Sequence, residues 1–129
     1  MDVERELQRL IDIEAIRNQI ALYCHLSDSD DSQGYGELFT EDGVLEWHRP
    51  YAGRAAISEL HAANVGKALG AGHGHVTFNS VIEVDGDTAT ARSYATAAGA
   101  QYLDQWRRVG GAWLIQRRVV VFRETGPAG

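Results

Sequence analysis

A single cysteine, Cys24, stands in a chain of 129 residues, so no intrachain disulfide can brace it and a reducing cytoplasm is the expected setting. Basic side chains are scarce: 12 against 18 acidic ones, for a formal net charge of −6. A domain that neutralises phosphates carries a basic face. The clusters Arg107-Arg108 and Arg117-Arg118 are too short to make one, so nucleic acid is not an expected partner. No apolar run approaches the roughly 20 residues that a membrane helix needs. The opening MDVERELQRL alternates charge and apolarity and does not read as a signal peptide, so no membrane partner is expected either. The chain also lacks repeats, linkers, low-complexity tracts and the length for a second domain. What remains is 44% apolar and 23% charged, the balance of a compact chain that is neither disordered nor a disulfide scaffold. A chain of this size buries roughly two thirds of its unfolded surface, enough for a core.

Helical periodicity fills the first 26 residues, where Leu10, Ile13, Ile16, Ile20 and Tyr23 recur at steps of three and four on one face. The polar cluster from Ser27 to Ser32 stops that helix. A short second helix carrying Tyr35, Leu38 and Phe39 follows, then a turn at Glu41-Asp42-Gly43 and a strand from Val44 to His48. Pro50 and Gly53 bracket a loop, and Arg54 to Leu69 reads as a helix capped by Gly70-Ala71-Gly72. Beyond His73 the texture is β. Strands run over His75–Val84 and Thr88–Ala98 around the turn Asp85-Gly86, then over Gln101–Val109 and Ala112–Phe122 around Gly110-Gly111. Helices gathered before strands imply an α+β fold, a curved antiparallel sheet with the helices on its concave face and a pocket between them.

Histidine is the side chain best suited to moving protons near neutral pH, and five are present: His25, His48, His61, His73 and His75. His73 and His75 fall on one strand face with Thr77 and Asn79, opposite Val76 and Phe78. That polar row faces either water or a pocket. In a pocket, a histidine needs a partner to fix its tautomer, and the cluster Asp28 to Asp31 can supply one. Aspartates there also serve as caps and turn formers. Asp31, just before the second helix, suits that role best, while Asp28, five residues after Tyr23, can point inward. A calcium loop is excluded, because its glycine and final glutamate positions hold Gln33 and Phe39. A zinc site from His73, His75 and an aspartate lacks a further ligand at standard spacing. The run Gly70-Ala71-Gly72-His73-Gly74 has no phosphate-loop lysine, and Cys24 sits among apolar helix positions as a small core residue. Trp47, Trp106 and Trp113 read as core or pocket wall.

Several stretches closely resemble the SnoaL-like branch of the nuclear-transport-factor-2-like superfamily. They are Glu37-Leu38-Phe39-Thr40-Glu41-Asp42-Gly43, Gly53-Arg54-Ala55-Ala56-Ile57, His75 with Asn79, Val84 to Ala89, and Gly111 to Arg118. The resemblance implies a cone-shaped, cystatin-like α+β fold, with one domain over 1–125 and a flexible tail over 126–129. Within the superfamily the scytalone dehydratase and hexachlorocyclohexane dehydrochlorinase group is the most similar. Its Asp–His dyad falls on Asp28 and His75, and a pocket arginine falls on Arg118. Leu45 stands where that group has a pocket tryptophan, with Trp47 as a possible substitute. The ketosteroid isomerase pattern matches at Tyr23, but Trp47 stands at its catalytic aspartate. The Arg-x-Asp of limonene epoxide hydrolase is replaced by Arg92-Ser93-Tyr94.

The resemblance implies a lyase that needs no cofactor and no metal, a dehydratase acting on a small hydrophobic hydroxylated compound. His75 is then the general base, Asp28 its partner, Tyr23 a hydrogen-bond donor to a substrate oxygen, and Arg118 a counter-charge. Asn79, Trp47, Leu45 and Tyr94 are the expected substrate-binding residues. An isomerase or cyclase of polyketide- or steroid-like compounds, or a non-catalytic binding module resembling a dioxygenase small subunit, are the alternatives. A homo-oligomer, dimer or trimer, is expected to cover the outer sheet face at residues such as Val119 and Val121.

Overall fold

The computed structural model describes residues 1–65, 74–95 and 99–122. Helix α1 spans Val3–Ser27, α2 Ser32–Glu37 and α3 Arg54–Asn64; the strands are β1 Phe39–Trp47, β2 Arg49–Ala52, β3 Thr77–Asp85, β4 Thr88–Ala95, β5 Gln101–Val109 and β6 Ala112–Val121. They form one six-stranded sheet in the order β2-β1-β6-β5-β4-β3. The fold is α+β, with the helices before and between the strands as the order of apolar patterns implies. The sheet is mixed rather than wholly antiparallel, because β1 lies parallel to β6. A strand met early in the chain joins the last strand from the same direction only by a long crossover. Hairpin reasoning, which pairs neighbours in sequence, does not reach that contact. No helix among the described residues is long and apolar enough to cross a membrane.

Local chemistry explains the element ends. Asp2 caps α1 by accepting from Arg5 N, and Asp31 caps α2 by accepting from Gly34 N at 2.8 Å. The hairpin turns use Gly86, Gly110 and Gly111 at positive φ of 62°, 56° and 83°, where a Cβ is strained. The Glu41-Asp42-Gly43 stretch is no turn: it lies inside β1, whose pairing with β6 shifts register between Phe39 and Val44. Such irregularities bend a strand, and the β3–β4 and β5–β6 pairings carry one each, with the extra residue on β3 and on β6. The expected loop around Pro50 holds β2, an edge strand in which proline's missing N–H does no harm. The α2 helix ends before Leu38 and Phe39, and β3 begins at Thr77, so His75 sits in the connection leading to it. The end of the expected α3 at Leu69, its glycine cap, His73, the strand end at Ala98 and the tail over 126–129 fall outside the described residues.

The core lies between α1 and the inner sheet face, where Ile16, Ile20, Tyr23, Phe39, Leu45, Ile57, Trp106, Trp113 and Ile115 are buried together. Each such side chain contributes roughly 1.5–3 kcal/mol when taken from water. Of the expected α1 face, Ile13 is half-buried outside this cluster, and Leu10 is missing, at 52% exposed. In its place the inward stripe of α1 carries Asp12, 4% exposed. Arg108 clamps Asp12 through both oxygens, at 2.7 and 3.0 Å, and Trp113 Nε1 donates at 3.3 Å. Arg108 also donates to Asp87 and to the Gly86 carbonyl, tying α1 to the β3–β4 turn. The Arg108 hydrogen bond holds the Asp12 carboxyl below the usual carboxylate range, although burial pulls the other way.

Candidate active site

Asp28 follows the last turn of α1, and its own N–H still donates to the Cys24 carbonyl at 3.2 Å. From there its carboxylate grips the segment before β3. The His75 backbone N–H donates to both oxygens, at 3.0 and 3.1 Å, and His75 Nδ1 lies 2.7 Å from Asp28 Oδ1. A carboxylate oxygen accepts, so Nδ1 carries a proton, and in the neutral ring the lone pair is left on Nε2. The approach is close enough to require Gly74, where an added Cβ would sit 2.7 Å from Asp28 Oδ2. The pair is only half-sheltered, with side-chain exposures of 23% for His75 and 36% for Asp28.

His75 opens onto a cavity of about 250 Å3 between the helices and the inner sheet face. Its walls are mostly apolar and aromatic, among them Leu45, Trp47, Leu60, Tyr102, Val120 and Phe122. Such a lining suits a small apolar ligand positioned by few polar groups. Tyr23 and Tyr35 both line it, their hydroxyls 2.7 Å apart and their rings 5.1 Å apart. Burial, then the neighbouring Tyr23, pushes the Tyr35 hydroxyl well above its ordinary acidity range, and burial does the same for Tyr102. Both therefore stay protonated at neutral pH.

Arg118 does not take the place expected of it. It is fully buried, forms a bidentate pair with Asp104 at 2.7 and 2.8 Å, and is absent from the cavity lining. Its Cζ lies 4.2 Å from the ring centres of both Tyr23 and Tyr102. Burial works against its charge, but Asp104 opposite more than offsets that and raises its pKa. A guanidinium on an inner strand must be paired where it sits, so it reaches the cavity only through the tyrosine rings.

Two other expected contacts are also placed elsewhere. Asn79 is exposed, at a positive φ of 56° where the β3–β4 register shifts, so the bulge breaks the alternation that would have aligned it with His75. Tyr94 stacks on Phe78 at 5.9 Å and is not part of the cavity wall. Leu45 and Trp47 do line it, as does Tyr23. Two lining histidines went unassigned by sequence reasoning. His61 is held at both nitrogens: Nε2 donates to the Leu26 carbonyl at 2.9 Å, and Nδ1 meets Ser32 Oγ at 2.7 Å. Its ring stacks on Tyr35 at 4.6 Å. His48 lines the cavity as well. No sequence signal marks either. Among the described residues, no group of three or more His, Cys, Asp or Glu side chains could hold a metal ion.

Against this geometry, the profile of the SnoaL-like domain matches residues 8–119. No curated protein matches the chain. A Mycobacterium tuberculosis protein of unknown function, Rv3472, superposes with a TM-score of 0.81 at 31% identity, covering 93% of this chain and 82% of that one. An NTF2-like protein with a cystatin-like fold from Novosphingobium aromaticivorans superposes with a TM-score of 0.82 at 30% identity, covering 98% and 92%. A candidate scytalone dehydratase from the same organism shares the fold at 24% identity, with a TM-score of 0.76 over 86% and 83%.

Proposed function

The chain belongs to the SnoaL-like domain family, and from that premise we propose that it is a cofactor-independent lyase that removes water, or a related leaving group, from a small hydrophobic hydroxylated compound. The supporting observation is the 2.7 Å contact between His75 Nδ1 and Asp28 at the edge of an aromatic cavity. His75 Nε2 takes a proton from the carbon next to the one bearing the hydroxyl. The C–H electrons become the new double bond, the C–O bond breaks, and the oxygen leaves as water after protonation by a phenol or solvent. Asp28 stabilises the imidazolium formed in that step. Tyr23 and Tyr35 offer hydroxyls to a substrate oxygen, and Arg118 stabilises charge there through the ring faces.

The test is a panel of small hydroxylated cyclic compounds, followed by the absorbance of the new conjugated double bond. Turnover by the native chain that falls at least about a hundredfold in His75→Ala supports the reading. Near-normal turnover in Asp28→Asn would remove the dyad. The Tyr23–Tyr35 pair favours one second reading, isomerase or cyclase chemistry, in which the same base makes an enolate that two phenols hold. A product isomeric with its substrate, rather than lighter by one water, distinguishes that case.

The same proposal extends to assembly. Phe78, Val81, Leu103 and Val121 are 36–44% exposed on strands of the sheet, and a second copy is the proposed cover. Sedimentation at micromolar concentration should show a dimer or trimer, whereas only a 14 kDa species would contradict it.

A further inference from the structure

His48 is the only residue between β1 and β2, whose register pairs Trp47 with Arg49 across it. Its φ is 66°, a left-handed conformation that glycine adopts freely and that histidine, like asparagine and aspartate, adopts only occasionally. The imidazole lies flat on Phe122, 4.7 Å away at an interplanar angle of 4°, with Trp47 at 5.3 Å. The ring orientation is thus fixed by packing. Neither ring nitrogen has a hydrogen bond among the described residues, in contrast to both nitrogens of His61 and Nδ1 of His75. His48 and His75 both line the cavity, yet they enter it from opposite edges of the sheet: one beside β1 and β2, the other ahead of β3.

We propose that His48 is a specificity-determining residue, a fixed imidazole with uncommitted nitrogens that binds a second oxygen of the substrate, from the sheet edge opposite that of His75. A neutral imidazole offers one donor and one acceptor and so matches a hydroxyl. An uncommon backbone conformation at a cavity residue whose ring is packed but makes no structural hydrogen bond fits a ligand-binding duty. The ligand class that follows is a small cyclic compound carrying two separate oxygens, and the inference rests on the cavity being the substrate site.

Two probes separate the possibilities: 2-naphthol, with one hydroxyl, and 2,6-dihydroxynaphthalene, with hydroxyls at both ends. Calorimetric titration should show the native chain binding the diol at least about fivefold more tightly. His48→Gly and His48→Asn both suit the left-handed position, and each should lose that preference while binding 2-naphthol within about twofold of the native chain. No preference in the native chain, or an equal loss for both probes, would overturn the role of His48 and leave the Asp28–His75 reading intact. Failure of both probes to bind the native chain would instead overturn the reading of the cavity itself, and the inference with it.

Discussion

The Asp104–Arg118 and Asp28–His75 pairs are equally short, each 2.7 Å at the closest approach, but they stand in opposite surroundings. The first is fully buried on the inner faces of β5 and β6. The second bridges a helix end and a strand approach, with both side chains partly in water. A charge pair without solvent cannot release a proton or a partner cheaply, so Asp104–Arg118 is a fixed element that supports two tyrosine rings. A half-sheltered pair with one ring nitrogen uncommitted can exchange protons with solvent. Equal distances therefore say little about role, and the surroundings decide it.

Changes to the two carboxylates should part company most in stability. Asp104→Ala strands a buried guanidinium and is expected to cost about 3–5 kcal/mol in urea unfolding, whereas Asp28→Ala should cost about 1 kcal/mol or less, as exposed pairs do. Similar losses for both would mean that the two environments do not differ as described.

In activity the order reverses. Asp28→Ala and His75→Ala should each lower turnover at least about a hundredfold, with the double variant little worse than either single one. Additive losses would show that the two residues work separately.

The Asp12–Arg108 clamp is intermediate, with side-chain exposures of 5% and 24%. Arg108 lowers the Asp12 pKa from its ordinary 3.8, so the unfolded chain takes up a proton first as pH falls. The contribution of the clamp is complete above about pH 4 and is lost as pH drops through the lower, folded pKa. Asp12→Asn should flatten that part of the acid-unfolding curve, and Asp12→Ala should cost about 2 kcal/mol at neutral pH. The smallest effect is expected at Leu10, where Leu10→Ser should change stability by about 0.5 kcal/mol or less. A cost of several kcal/mol would return Leu10 to the core.

The reach of the sequence follows the same division. Spacing along one helix or one hairpin was legible: the Ile16–Ile20–Tyr23 stripe, the Asp31 cap, the glycine turns, and the four strands after His73. The resemblance to SnoaL-like chains pointed to Asp28 and His75, which stand 47 positions apart, meet in the structure and are connected by no local pattern. Contacts set by bulges and crossovers were not legible. Asn79 left the expected face because one irregularity breaks a period of two, and β1 joined β6 in parallel across most of the chain. Only the resemblance singled out Arg118, and it did not reveal Asp104 facing it from β5. His48 gave no sign, because a left-handed backbone at a histidine is visible only in three dimensions.

The central claim is that Asp28 holds the proton on His75 Nδ1 and leaves Nε2 as the base. Long-range 1H–15N correlation of the imidazole ring measures this without a substrate. At a pH where His75 is neutral, the native chain should show the Nδ1–H tautomer, and Asp28→Asn should shift the ring towards Nε2–H. A native His75 already in the Nε2–H form would contradict the account.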